Sequence, residues 1–386
     1  MITYGRQFIH RKDISAVIKT LKSDWITQGP KIIEFENKLK RYLGAKYCTV
    51  VSNGTMALYL LAKALAWKKK DIILCSPISF LAASNSVLLQ GATPYFVDVN
   101  FESGNMNVSL VNKVLKKYNK RVKAIIVTDY GGLPADWKEL RKIKKRYGVK
   151  LINDNCHALG GSYYGDKKYA SKYADYVIQS FHAVKNITTG EGGAVLTNDK
   201  HVTKKIKFLA NHGVKKSGFS SPWIYQMQDL GYNARITDIQ CALGISQLTR
   251  IDKIIQKKRK IAKLYDKYLQ NINCISTPKQ FKNKKSALHL YPIKIDFKKL
   301  KITKTHFFKI MKKNKINLQV HYIPIYKHPY YQNYCKTRES DLNSSREFYN
   351  QVLSLPLHLN ISQRDIYYII KIIKKIVQKY TIKKFL

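Results

Sequence analysis

Four short stretches carry residues whose types and order could do chemistry. "SNGT" (52–55) precedes an apolar stretch, and the backbone N–H groups of Gly54 and Thr55 with the Thr55 hydroxyl would make an anion site. The same Asn-Gly-Thr also reads as an ordinary helix cap. "SPISF" (76–80) brings Phe80, which offers either a flat face to a ring or a core side chain. "INDNCHALGG" (152–161) sets Asp154 at the tip of an apolar run, where a carboxylate needs a cationic partner, solvent or a proton. His157 follows in a Gly-bounded loop; a capping Asp and a satisfied buried His account for the pair equally well. "SFHAVKNITTGEGG" (180–193) then follows a further apolar run with Ser180, His182 and Lys185. A lysine there is ordinarily solvated, but one held behind Ser and His in a loop of small residues is placed as if something must reach its nitrogen.

Taken together the four stretches favour one cofactor, pyridoxal 5′-phosphate. It needs a phosphate cradle, a stacking face, a carboxylate at its ring nitrogen and a lysine that bonds its aldehyde. A poorly solvated loop helps that lysine shed its proton. The order of phosphate loop, aromatic, Asp and Lys, with Asp154 and Lys185 31 positions apart, matches a fold-type-I enzyme of this cofactor. The Thr and Gly after Lys185 are expected to leave room for it.

Ligands of open α/β sheets collect at the carboxyl ends of strands, so the elements to find are strands ending at these stretches. Seven short apolar runs qualify: 48–52, 71–77, 93–99, 122–129, 149–155, 173–181 and 192–198. Segments between several of them, such as "DWKELRKIKKRYG" (136–148), have helical spacing with a basic outer face. The pattern predicts a mostly parallel seven-stranded sheet with helices on both faces, an α/β fold. Residues 251–270 read as one long amphipathic helix suited to joining two lobes. Runs at 287–296 and 316–326 and a final helix over 363–380 then suggest a smaller α+β domain. The expected organisation is an N-terminal segment and large domain over 1–250 and a small C-terminal domain over 251–386.

Composition limits the alternatives. A chain of 386 residues with 45% hydrophobic residues buries a large core. The net charge is +46, but only 12 of the 70 basic residues are arginine and they are dispersed over helix faces. Together with abundant Ile, Asn and Tyr, this reads as codon bias of an AT-rich genome, with attraction of an anionic nucleotide substrate as the second reading. A nucleic-acid binder would cluster arginines or aromatic platforms on one face, and none is visible, so no nucleic-acid partner is expected. The amino-terminal stretch has no apolar signal region and no run approaches a membrane span, so a cytoplasmic protein with no membrane partner is expected. The six cysteines are scattered without metal spacing, which suggests reduced, mostly buried thiols and no metal.

Over nearly its whole length the chain resembles the DegT-type nucleotide-sugar aminotransferases. The motifs that carry the resemblance include "SDWITQGP" (23–30), "SNGTMAL", "SPISFLAASN", "DNCHALGG", "SFHAVKNITTGEGG", "GYNARITDIQCALGISQL" (231–248) and "VHYIPIY" (320–326). The resemblance implies that Lys185 bonds the cofactor aldehyde, Asp154 pairs with the ring nitrogen, His157 touches the phenolic oxygen and Phe80 stacks on the ring. Gly54, Thr55 and Ser180 would hold the phosphate, and in a homodimer with shared active sites Asn233 would reach the phosphate of the other subunit. Tyr4, the stretch Asp24, Trp25, Ile26 and Thr27, and the stretch His321, Tyr322, Ile323 and Pro324 match positions that contact the nucleotide sugar. The motif versions present here resemble the branch that moves the amino group of L-glutamate to C4 of a UDP-linked 4-keto-6-deoxy-N-acetylhexosamine, releasing 2-oxoglutarate. The same chemistry on a UDP-4-ketopentose or on a dTDP- or GDP-linked 4-keto-6-deoxyhexose is the alternative. Related sugar dehydratases carry His in place of the lysine, and Lys185 argues against that reaction. Ala234, where the family commonly has an aromatic, is expected to alter the shape of the sugar pocket.

Overall fold

The seven apolar runs are rich in β-branched residues and too short for helices, and all seven pair into one sheet. The computed structural model describes residues 1–216, 218, 221–334 and 337–381. The strands are β1 (Tyr47–Val51), β2 (Ile72–Cys75), β3 (Thr93–Phe96), β4 (Val122–Thr128), β5 (Lys150–Asp154), β6 (Tyr176–Ser180) and β7 (Gly193–Thr197). Their order across the sheet is β1-β7-β6-β5-β4-β2-β3. Every pairing from β3 to β6 is parallel. The departure from the expected helical crossovers is β7, which runs antiparallel to both β6 and β1. Antiparallel neighbours can be joined directly, so residues 181–192 return as a loop between β6 and β7 with no crossover helix.

Helices α1 (Pro30–Leu43), α2 (Gly54–Ala64) and α3 (Trp137–Tyr147) cover the sheet. One core joins Phe35 of α1, Trp137 and Leu140 of α3 and Phe181 of the loop after β6. On the other side Leu58, Leu60 and Leu61 of α2 pack with Ile73, Ile126 and Ile178. Burial on both faces is why these strands read as unbroken apolar runs and not as alternating ones.

Helix α4 (Ile251–Leu269) bridges two cores. Its first turns give Ile251, Ile254 and Ile255 to the sheet core, and its last turns give Ala262, Tyr265 and Leu269 to a second core. That second core is built on the antiparallel strands β8 (Ile275–Ser276), β9 (Tyr291–Ile295) and β10 (Val352–Leu355), in the order β8-β9-β10, and on α5 (Gln363–Thr381). The run 316–326 joins this lobe by single bridges, Ile316 to Ile2 and Gln319 to Ser354. It then crosses to the large lobe, where Ile325 and Tyr326 are buried and the Ile325 N–H donates to the Pro77 carbonyl at 3.0 Å. This strap sets residues 321–324 beside the loop that carries Phe80.

Cys48, Cys75, Cys241 and Cys274 are buried free thiols and Cys156 is a partly buried one, whereas Cys335 lies outside the described residues. Among the described residues no group of three or more His, Cys, Asp or Glu could hold a metal ion, and no helix is long and apolar enough to cross a membrane.

Candidate active site

The register of the sheet brings the expected residues to one edge. Thr128, the last residue of β4, pairs in parallel with Asp154, the last of β5. Ser180, the last of β6, stands opposite Gly193, which also pairs with Val51 at the end of β1. Immediately after β1, Asn53 caps α2: its Oδ1 accepts the Met56 N–H at 2.8 Å. The Gly54 and Thr55 amides open that helix without an intrahelical acceptor, beside Ser180. A Cβ on Gly54 would lie 2.9 Å from Ser180 Cβ, so only glycine lets the helix start against the strand end. Free amides, a helix N-terminus and a hydroxyl form a cradle suited to phosphate.

Asp154 is buried, and its two oxygens accept from Thr128 Oγ1 at 3.1 Å and from the Cys156 N–H at 3.3 Å. Lys185 is partly buried in the loop after β6, where its N–H donates to the His182 carbonyl at 2.9 Å. Burial pulls the Lys185 amine below the ordinary lysine range, opposed by the neighbouring charges of Cys156 and Asp154. The same surroundings push the Cys156 thiol well up, so it stays protonated and unreactive.

The Thr-Gly run does something other than leave room. Thr188 and Thr189 are buried and bond the loop to itself, Thr188 Oγ1 to the Phe181 carbonyl at 3.1 Å and Thr189 Oγ1 to the Glu191 carbonyl at 2.6 Å. A Cβ on Gly193 would meet the Asn53 carbonyl carbon at 2.4 Å. The threonines therefore brace the loop internally, Gly193 brings the start of β7 against the residue before α2, and Gly190, at φ +79°, borders open space.

A cluster of rings surrounds His157. His157 is buried, its Nε2 lies 3.0 Å from the Tyr322 hydroxyl, and its Nδ1 has no hydrogen-bond partner among the described residues. The His289 ring is 4.4 Å from that of His157, and Phe80 and Tyr322 are 6.2 Å apart. Burial first, then the charges of Lys185 and His321, hold His157 well below the usual histidine range, so it is neutral at pH 7. His321, pushed down to about 4 by burial and by Lys185, bonds Ser354 Oγ through Nδ1 at 2.9 Å, and its carbonyl accepts from Tyr130 Oη at 2.6 Å. Tyr4 packs on the His321 ring at 5.1 Å. Phe80, 59% exposed, is a free face and no core residue. The orphaned Nδ1 of a neutral buried imidazole, the helix-end cradle and the paired strand-tip carboxylate fit pyridoxal phosphate.

Of the remaining expected residues, Ile323 and Pro324 belong to the strap beside Phe80, whereas no contact joins the others to this cluster among the described residues. Asp24, Trp25, Ile26 and Thr27 are exposed, fixed by the Asp238 N–H donating to the Ile26 carbonyl at 2.9 Å and by the bridge from Thr27 to Thr237. Asn233 is exposed and bridged to Asn211. Ile323 is exposed and Pro324 buried. Ala234 is fully buried, with its carbonyl accepting the Ser52 N–H at 2.8 Å. Sequence reading missed Thr128, His289, Tyr130 and Asn186. Thr128 alone had a signal, standing at a strand tip as Asp154 does.

A sheet of this order, with an amine, a carboxylate and a helix N-terminus on its carboxyl edge, is the architecture of an aminotransferase. The family model for the DegT/DnrJ/EryC1/StrS aminotransferases matches residues 7–374, and the chain belongs to that family. It is 39% identical over 365 residues to the UDP-4-amino-4,6-dideoxy-N-acetyl-beta-L-altrosamine transaminase of Campylobacter jejuni, which covers 95% of this chain and 94% of the relative. Among solved structures, Helicobacter pylori PseC, an aminotransferase involved in the biosynthesis of pseudoaminic acid, superposes with a TM-score of 0.91 at 32% identity, covering 98% of this chain and 100% of that one. A putative sugar aminotransferase from Streptococcus pneumoniae in its PLP form gives a TM-score of 0.88 at 26% identity, covering 98% of this chain and 99% of the other, and it is also known in a PMP form.

Proposed function

We propose that the chain uses pyridoxal phosphate to move the amino group of L-glutamate to C4 of a UDP-linked 4-keto-6-deoxy-N-acetylhexosamine. The products are 2-oxoglutarate and UDP-4-amino-4,6-dideoxy-N-acetyl-β-L-altrosamine, a precursor of pseudaminic acid. The observation that carries the reading is that Lys185 sits in the loop leaving Ser180, on the sheet edge where Asp154 ends its strand and Gly54 opens α2 against Ser180. The likeness to the Campylobacter transaminase supports the sugar.

When bound, the cofactor supplies an aldehyde that bonds the migrating amine and a ring that stores the electron pair released at carbon. Asp154, fixed by Thr128 and the Cys156 amide, is the residue to pair with the ring nitrogen. Gly54, Thr55 and Ser180 would hold the phosphate, Phe80 the ring face, and the free Nδ1 of His157 the phenolic oxygen. Lys185 Nζ, whose proton burial makes easier to lose, takes the proton from the donor's Cα and returns one on the other side of the transfer. Tyr4, Asp24–Thr27 and His321–Pro324 are assigned to the nucleotide sugar. The exposed Trp223, Met227 and Leu230 near Asn233 support a homodimer in which Asn233 reaches the partner's phosphate site. The five free thiols among the described residues accord with a cytoplasmic enzyme.

The test is a panel of nucleotide 4-ketosugars with L-glutamate, following 2-oxoglutarate release and identifying the aminosugar. The UDP-4-keto-6-deoxy-N-acetylhexosamine should have the highest kcat/KM. Preference for a UDP-4-ketopentose or a dTDP- or GDP-linked sugar would replace the substrate and leave the chemistry, and no turnover with any of them would contradict both.

A further inference from the structure

Asn186, next to Lys185, is buried with every polar arm engaged. Its Nδ2 donates to the carbonyls of Leu159 and Ala287, each at 3.0 Å, and its Oδ1 accepts from Lys258 Nζ at 2.7 Å. One side chain thus ties the lysine loop to the His157 loop, to the chain entering β9 and to the middle of α4. Lys258 is only 5% exposed. Among the described residues its hydrogen-bond partner is the neutral Asn186, and the charge that acts on it is that of Lys185, not a carboxylate. The titratable groups that face it, Lys185 of the loop, His289 before β9 and His358 after β10, are all bases. A buried ammonium with one neutral acceptor and no counter-charge is costly, whereas a neutral amine donating to Asn186 is not.

We propose that Lys258 is a second lysine of the active site, a positioning residue that holds the Lys185 loop through Asn186 and takes up a proton when Lys185 loses its positive charge. Burial, then the charge on Lys185, lowers the Lys258 pKa to about 7, inside the working range. Coupling between two titrating groups is reciprocal, so a proton on either amine makes the other easier to deprotonate. While Lys185 is an ammonium, its charge biases Lys258 toward the neutral donor form. Once the Lys185 charge is gone, Lys258 binds a proton from solvent and the site keeps one cation for its anionic substrates. The role assumes that Lys185 is the reacting amine, but the coupling is measurable without cofactor.

The experiment follows the lysine Cε resonances of the full chain, freed of cofactor and labelled with 13Cε-lysine, as a function of pH. Lys258, assigned by its loss in Lys258→Gln, which retains a donor to Asn186, should titrate far below the surface lysines. In Lys185→Ala its midpoint should rise by about one pH unit, the size of a lost like-charge neighbour. In Lys185→Arg, which keeps the charge, it should stay at the wild-type value. A Lys258 midpoint identical in wild type, Lys185→Ala and Lys185→Arg would overturn the proposal, as would titration among the surface lysines. Failure of cofactor to bond Lys185 with this coupling intact would instead overturn the functional reading and spare the proton coupling.

Discussion

At the scale of single residues the site depends on bases kept from their protons. Lys185 is the one whose loss should matter most. A positioned proton-transfer group contributes about 10²–10⁴-fold in rate, so Lys185→Ala should lower kcat by at least that factor in stopped-flow half-reactions while the melting temperature changes little. The histidines obey the same logic with a stability consequence. The folded pKa of His321 is about 4, below its unfolded value, so the unfolded chain binds the proton first. Stability therefore falls as pH drops through the window from about 6.5 to 4. Between pH 7 and pH 5 this one residue should cost about 2 kcal/mol. His321→Gln, which cannot titrate, should recover that difference when urea unfolding is compared at the two pH values. His157 and His289 shift in the same direction and stay neutral beside Lys185, so part of the acid sensitivity remains in the variant.

At the scale of elements, the strand ends that flank the lysine loop, Ser180 and Gly193, close directly on the start of α2. Gly54→Ala places a methyl 2.9 Å from Ser180 Cβ. Overpacking of this kind costs about 1–3 kcal/mol, and here it falls on the cradle, so cofactor affinity by absorbance titration should weaken about tenfold or more. Shortening the other side in Gly54→Ala/Ser180→Gly should restore part of it. How much of this was legible in the sequence follows from which forces act locally. The seven strands show themselves because burial on both faces makes each an apolar run, and the tips of those runs name Asp154 and Ser180. The direction of β7 is set by pairing with β1 and β6, and nothing in "GGAVLTN" encodes it. Small residues read as free space, yet the backbone that Gly193 approaches belongs to Asn53, far away in the chain. Lys258 lies among look-alike lysines in a helix that changes partners halfway, so no periodicity separates it from its solvated neighbours.

At the scale of the whole molecule, two cores and a strap meet at one edge of one sheet, and the proposed homodimer would cover the exposed apolar residues Trp223, Met227 and Leu230. Trp223 is 76% exposed and Leu230 67%, more than an isolated subunit gains from leaving in water. Light scattering should give twice the 44.7 kDa chain mass. Trp223→Glu with Leu230→Glu should yield monomers with little activity, and a fully active monomer would remove Asn233 from the site. The claim that bears the most weight is that the cofactor bonds one particular amine. The direct measurement is borohydride reduction of the yellow protein, followed by peptide mass mapping. A single pyridoxyl-phosphate adduct on the peptide that carries Lys185 is the expected result. An adduct on another lysine, or none at all, would contradict the account.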